Sequence, residues 1–156
     1  MRDFSIRAAR PSDSPFIVSL LRELAEYEKL LDCFLLTEEQ VRRDMLGAVC
    51  HTDLAIMDGA AVGIAAWFWI YKSFGAARGV YIEDLYVRPA FRGRGIGRAL
   101  LAHLAGKAAA VDGFMEWQVL DWNTPSIAFY KSLGASPRDS WINYRLIGES
   151  LRKLAS

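Results

Sequence analysis

Three glycines alternate with arginines in Arg92-Gly-Arg-Gly-Ile-Gly97, and that spacing suits the holding of an anion. Gly93, Gly95 and Gly97 have no Cβ, so a ligand can lie directly on the backbone. Arg92, Arg94 and Arg98 add positive charge and fork-shaped donors that match phosphate. Ile96, Ala99, Leu100, His103 and Leu104 follow at helical spacing, so the loop opens into a helix. The first amides of a helix have no internal partners, and its dipole is positive at that end. The stretch is not a P-loop, because no Gly-Lys-Ser/Thr triplet follows it. It also departs from the dinucleotide fingerprint G-x-G-x-x-G. Glu116, about twenty residues further on, stands where a ribose-binding acid would be expected. A nucleotide-binding protein therefore remains one alternative.

A second chemical signal lies just upstream. Val80–Val87 is β-branched, aromatic and apolar, which predicts a buried strand, yet it carries Glu83 and Asp84. A carboxylate in such a strand is costly without a partner or a function. Adjacent strand residues point to opposite faces. Glu83 is assigned to the site, to bind a cationic substrate and take its proton. Asp84 would serve structure, a loop or a dimer contact. His51 and His103 lack metal-ligand spacing and Cys33 and Cys50 form no C-x-x-C pair, so no metal site is expected.

These groups need elements to position them. Phe4–Ala8 predicts a short first strand. Ser12–Pro15 is a helix-start cluster, and Phe16, Ile17, Leu20, Leu21 and Leu24 continue at helical spacing to about Tyr27–Leu31. Thr37-Glu-Glu-Gln40 has capping-box form and opens a second helix with Val41 and Met45 inward. Leu54–Met57 and Ala61–Tyr71 predict a hairpin turning at Asp58-Gly59. After the helix that follows the glycine loop, predicted to run to about Val111, Met115–Leu120 is the next strand. Thr124-Pro125 caps a short helix over Ser126–Leu133, closed by Gly134. Trp141–Ile147 is predicted as a last strand and Gly148–Ala155 as a terminal helix. The resulting fold class is α/β (α+β), a mixed sheet with helices on its faces.

With 156 residues, 53% hydrophobic and 24% charged, the chain is expected to form a single domain over 1–156 rather than a disordered segment. A formal net charge of +1 makes nucleic acid an unsuitable partner. The longest apolar run, Ala60–Tyr71, is shorter than the roughly twenty residues needed to span a bilayer. No signal-peptide core is evident and the thiols read as inert, so the expected location is cytoplasmic.

The loop Arg92–Gly97 resembles the acyl-CoA pyrophosphate loop of the GNAT acetyltransferase superfamily, [Q/R]-x-x-G-x-[G/A]. Trp122-Asn-Thr-Pro-Ser-Ile-Ala-Phe-Tyr-Lys-Ser-Leu-Gly134 resembles that superfamily's downstream motif. Leu24-Ala-Glu-Tyr-Glu28 and Tyr81-Ile-Glu-Asp-Leu85 extend the likeness to its diamine (spermidine/spermine) and thialysine acetyltransferase branch. The resemblance implies a GNAT-like splayed mixed sheet and acetyl-CoA as co-substrate. It implies pyrophosphate on the amides of Arg92, Gly93, Arg94, Gly95, Ile96 and Gly97, and pantetheine beside Leu85, Tyr86 and Val87. Asn123 and Ser126 would also contact the cofactor.

Direct transfer to an amine requires a neutral amine, a polarised carbonyl and a proton for the departing thiolate. By resemblance Tyr130 is the general acid; its phenol, with a pKa near 10, stays protonated. The oxyanion donor is expected from the backbone at Tyr86 or Val87. Tyr27 and Glu28 match residues that contact the amine, and Glu116, Trp117 and Gln118 stand where the family lines its acceptor channel. The chain has Asn143-Tyr144 where the polyamine enzymes carry a tryptophan, and only Asp58-Gly59 where they have a longer loop. The implied acceptor is thus a small primary amine: a polyamine, a diamine, thialysine or an amino-acid side chain. Alternatives are a protein lysine or N-terminus as acceptor, and a non-catalytic acyl-CoA-binding module. A homodimer is expected from the same resemblance.

Overall fold

The computed structural model describes residues 3–156. They divide into two compact units, one ending at Gln118 and one spanning Val119–Ser156.

The larger unit contains β1 (Ser5–Ala8), α1 (Ser14–Tyr27), α2 (Glu38–Asp44), β2 (His51–Met57), β3 (Ala60–Lys72), β4 (Ala77–Val87), α3 (Ile96–Ala109) and β5 (Phe114–Trp117). The strands lie in the order β1-β2-β3-β4-β5. Neighbours are antiparallel as far as β4, and β5 joins β4 in parallel. The hairpin between β2 and β3 turns at Asp58 (φ 49°) and Gly59 (φ 78°). Positive φ at both central positions gives the turn a twist that matches the strands. The start of α2 is the expected capping box, with Thr37 Oγ1 accepting from Gln40 N and Gln40 Oε1 accepting from Thr37 N.

The sheet is covered on both faces. Ile17, Leu20, Leu21 and Leu24 of α1 pack with Val41, Met45, Leu54, Ile64, Ala66 and Tyr86. The opposite face carries α3, because a Cβ added at Gly63 would meet Ile96 Cγ2 at 3.2 Å and Leu100 Cδ1 at 3.4 Å. Burying each large aliphatic side chain here contributes about 2 kcal/mol.

Two irregularities in β4 position the chemistry. Gly79–Ile82 pair with Phe114–Trp117 of β5, whereas Asp84–Val87 have a strand partner only on the β3 side. The sheet is therefore splayed, as the resemblance implies. There is also a β-bulge: Ile82 faces Trp67 and Asp84 faces Ala66, so Glu83 is the extra residue.

The smaller unit contains α4 (Thr124–Ser132) and α5 (Gly148–Ala155). Gly134 (φ 87°) follows α4 in the left-handed conformation that ends helices. Three expectations are corrected. Trp141–Ile147 is not a strand; it makes no ladder, and Trp141 is 69% exposed. β-Branched and aromatic composition alone does not satisfy backbone groups, which in a strand need a neighbour. β5 stops at Trp117 rather than Leu120, where the ladder to β4 ends. α3 ends at Ala109 rather than about Val111.

Candidate active site

The glycine loop is built open. Gly93 (φ 75°) and Gly95 (φ 78°) hold left-handed conformations, and a Cβ at either position would meet nothing within 4 Å. Gly95 is the N-cap of α3, and no side chain caps the helix. The first intrahelical bond runs from Ala99 N to Gly95 O at 2.9 Å. The amides of Ile96, Gly97 and Arg98 thus lie at an uncapped helix start. Ile96 is buried and anchors the loop to the core. The donor set fits a phosphate group, and the exposed Arg98 guanidinium can add to it.

Arg92 and Arg94 behave differently from the sequence reading. Arg92 Nε donates to Val87 O at 2.9 Å. Its guanidinium lies 5.2 Å from the Tyr27 ring centroid and 5.7 Å from that of Tyr86. Arg94 lies over Phe91 at 5.7 Å. Arg92 therefore ties the loop to the end of β4 and to α1. Arg88 reinforces the same junction. Its Nη2 meets Glu23 Oε1 at 2.8 Å and Ser19 Oγ at 3.2 Å, and its Nη1 donates to Ala61 O at 3.2 Å. Leu85, Tyr86 and Val87 are held between this clamp and β3, with the Tyr86 ring buried and its hydroxyl 3.4 Å from Glu23 Oε2.

Beside that junction lies a cleft of about 300 Å³, lined by Leu21, Leu24, Glu28, Phe34, Leu36 and Asp84 among others. Leu21, Leu24 and Glu28 follow one another at helical spacing, so the cleft runs along α1. Among the described residues, Glu28, Glu83 and Asp84 make no side-chain hydrogen bond or ion pair. Burial raises the Glu28 carboxyl above its ordinary value. Asp84 is pushed up to about 7, first by burial and then by the charges of Glu83 and Glu28. Cys50, on the same side, is pushed up to about 11 by burial, with Asp84 and Glu83 adding to it. Burial thus keeps its thiol protonated at neutral pH. Among the described residues that line the cleft there is no lysine or arginine, so a cation bound there would relieve the cost of these carboxylates.

The bulge also changes which carboxylate faces the cleft. With Glu83 as the extra residue, Asp84 and Tyr86 share the α1 face, while Glu83 is exposed. Alternation alone puts Asp84 with Tyr86 and Glu83 opposite; what it could not reveal is that the parity breaks between Ile82 and Asp84. Tyr27 is not in the cleft lining; its ring packs under the Arg92 guanidinium. Glu116, Trp117 and Gln118 are not in its lining. Glu116 pairs with Lys72 at 2.9 Å, Trp117 lies opposite Ile82, and Gln118 is exposed beyond β5.

In the smaller unit Asn123 is the N-cap of α4 and 5% exposed, its Oδ1 accepting from Ser126 N at 3.4 Å. Tyr130 stands on α4, half-buried, its ring centroid 5.5 Å from that of Phe129. Ser126 belongs to the first turn of the same helix.

A model of the acetyltransferase (GNAT) family matches residues 15–135. The chain belongs to that family. Its sheet and helices are those of a GNAT acetyltransferase, and it is an enzyme of that kind. It is 36% identical to the thialysine N-epsilon-acetyltransferase of Mus musculus over 99% of each chain. It is 28% identical to an L-ornithine N5-acetyltransferase of Arabidopsis thaliana, over 96% of this chain and 86% of that one. Among solved structures, an integron cassette protein of V. cholerae superposes with a TM-score of 0.82 at 25% identity, over 98% of both chains. Among the described residues, no helix of this acetyltransferase is long and apolar enough to cross a membrane.

Proposed function

We propose that this acetyltransferase moves an acetyl group from acetyl-CoA to the primary amine of a small molecule such as thialysine, ornithine or a diamine. The observation that carries this reading is the carboxylate-bearing cleft beside the part of β4 that β5 leaves unpaired. The relatives that act on thialysine and ornithine support it, as does the family match, which spans both units and favours one domain over 1–156.

In this reading the uncapped start of α3 and the amides of Arg92–Gly97 take the pyrophosphate. Leu85–Val87 align the pantetheine, with a backbone N–H of Tyr86 or Val87 facing the carbonyl oxygen. Asn123 and Ser126 make further donor contacts. Bound acetyl-CoA supplies the activated thioester. Asp84 and Glu28 bind the ammonium form of the acceptor. Asp84, with a pKa near the working pH, accepts the amine's proton, and exposed Glu83 passes it to solvent. The neutral nitrogen forms the C–N bond as the C–S bond breaks. Tyr130 gives its phenolic proton to the leaving sulfur and regains one from water.

Cys33 and Cys50 are free thiols, in keeping with a cytoplasmic location. The exposed Trp141, Ile142, Tyr144, Leu146 and Ile147 support a homodimer, to be read from the molar mass in solution.

The test is free-thiol release from acetyl-CoA with thialysine, ornithine, spermidine, short diamines and a lysine peptide. Turnover is expected with a small amine, falling about 100-fold in Tyr130→Phe. Turnover with the peptide alone would move the function to protein acceptors. Binding of acetyl-CoA with no turnover would make the chain a non-catalytic acyl-CoA module.

A further inference from the structure

The cleft has two ends, and only one is acidic. Its lining along α1 begins at Leu21 and ends at Glu28, where Asp84 joins from β4. Arg22 sits at the other end of the helical stretch. Its guanidinium carbon lies 4.9 Å from the centroid of Phe34, an aromatic ring that lines the cleft. Cation–π contact holds a guanidinium over the ring and leaves its edge donors free to meet an anion. Among the described residues Arg22 has no carboxylate partner: the nearby Glu23 is engaged by Arg88. Glu28 lies six positions after Arg22, an axial rise of about 9 Å along the helix. An extended side chain of ornithine or thialysine type spans a distance of that order. Leu21, Leu24 and Leu36 also line the cleft, which suits methylene or thioether groups.

We propose that Arg22 is the carboxylate anchor of the acceptor site, the residue that sets any preference for an acceptor bearing an α-carboxylate over the diamine that lacks it. This rests on the small-amine reading above and narrows it. The α-carboxylate meets Arg22, the aliphatic or thioether body lies on the leucines, and the distal ammonium reaches Asp84 and Glu28. A plain diamine of equal length would place a second cation beside Arg22 and be repelled.

The experiment compares thialysine and ornithine, each with the diamine left when its carboxyl group is removed, in wild type, Arg22→Ala and Arg22→Lys. Wild type should favour each amino acid over its diamine by about tenfold in kcat/KM, the scale of one charge-assisted pair at a partly exposed site. Arg22→Ala should raise KM for the amino acids about tenfold with kcat held, and leave KM for the diamines unchanged or lower. Arg22→Lys should restore part of the preference. Because Arg22 is exposed, the variants should fold, and far-UV dichroism checks that they do. If Arg22→Ala affects amino acid and diamine alike, or wild type favours the diamines, the carboxylate anchor is overturned and the small-amine function stands. If no small amine turns over in wild type, both fall together.

Discussion

Asp53 and Asp84 lie in neighbouring parts of one sheet and are held in opposite ways. Asp53, on the α3 side, is 3% exposed. Its Oδ2 accepts the Trp67 indole N–H at 2.8 Å and its Oδ1 lies 3.3 Å from His103 Nε2. His51 stacks on the same indole at 4.3 Å, and Lys107 lies over it at 5.4 Å. Asp84, on the α1 side, has two other carboxylates for neighbours and is pushed up to about 7. Both are costly charges in a low-dielectric setting. One is compensated internally and so contributes to the fold. The other has no such compensation, and that is why the proposed acceptor site is placed there.

Three substitutions would break or sharpen this contrast. The largest effect is expected from Asp53→Ala, which strands the Trp67 N–H in the interior. It should cost about 3 kcal/mol, roughly 10 °C in Tm, with the amine KM unchanged. A melt matching wild type would remove the structural role. Next is Asp84→Asn, which should lower kcat/KM for the amine about 100-fold.

Asp84→Asn should also stabilise the protein at pH 8, by roughly 1 kcal/mol after solvent screening, and by only about a third of that at pH 5. An unfolded aspartate titrates near 3.9, and folded Asp84 titrates at about 7. Between those values the folded state binds more protons, so the wild type loses stability as pH rises from about 4 to 7. Thermal melts at the two pH values check this. The same sign governs activity: wild-type kcat/KM should rise as pH passes through about 7, and Asp84→Asn should flatten that limb. The smallest effect is expected from Glu83→Gln. It removes one of the charges raising Asp84, so the acidic limb should move to lower pH by less than a unit, with kcat/KM reduced about threefold. A 100-fold loss would instead make Glu83 the principal base.

Much of this was legible from residue order. The glycine loop, the capping box at Thr37, the Asp58-Gly59 turn and the Gly134 helix stop all depend on local backbone requirements that particular residues satisfy. The family likeness came from the same short motifs. Strand extents were less legible, as Trp141–Ile147 illustrates: a strand is a relation between segments, and composition describes only one of them. Alternation put Glu83 and Asp84 on opposite faces, as they are, but not which face is which, since one bulged residue breaks the parity between Ile82 and Asp84.

The amino-acid sequence by itself determined that the chain is a GNAT acetyltransferase and where its anion-holding loop begins, because both are written in contiguous residues whose backbone chemistry is local. Tertiary structure alone decided that Asp84 rather than Glu83 faces the cleft and that Glu28 joins it from α1. It also decided that Arg92 turns inward to Tyr27 and Val87, and that Arg22 rests on Phe34. Each of these pairs residues far apart in sequence or depends on strand register, and burial and charge at a point in space are set by everything packed there.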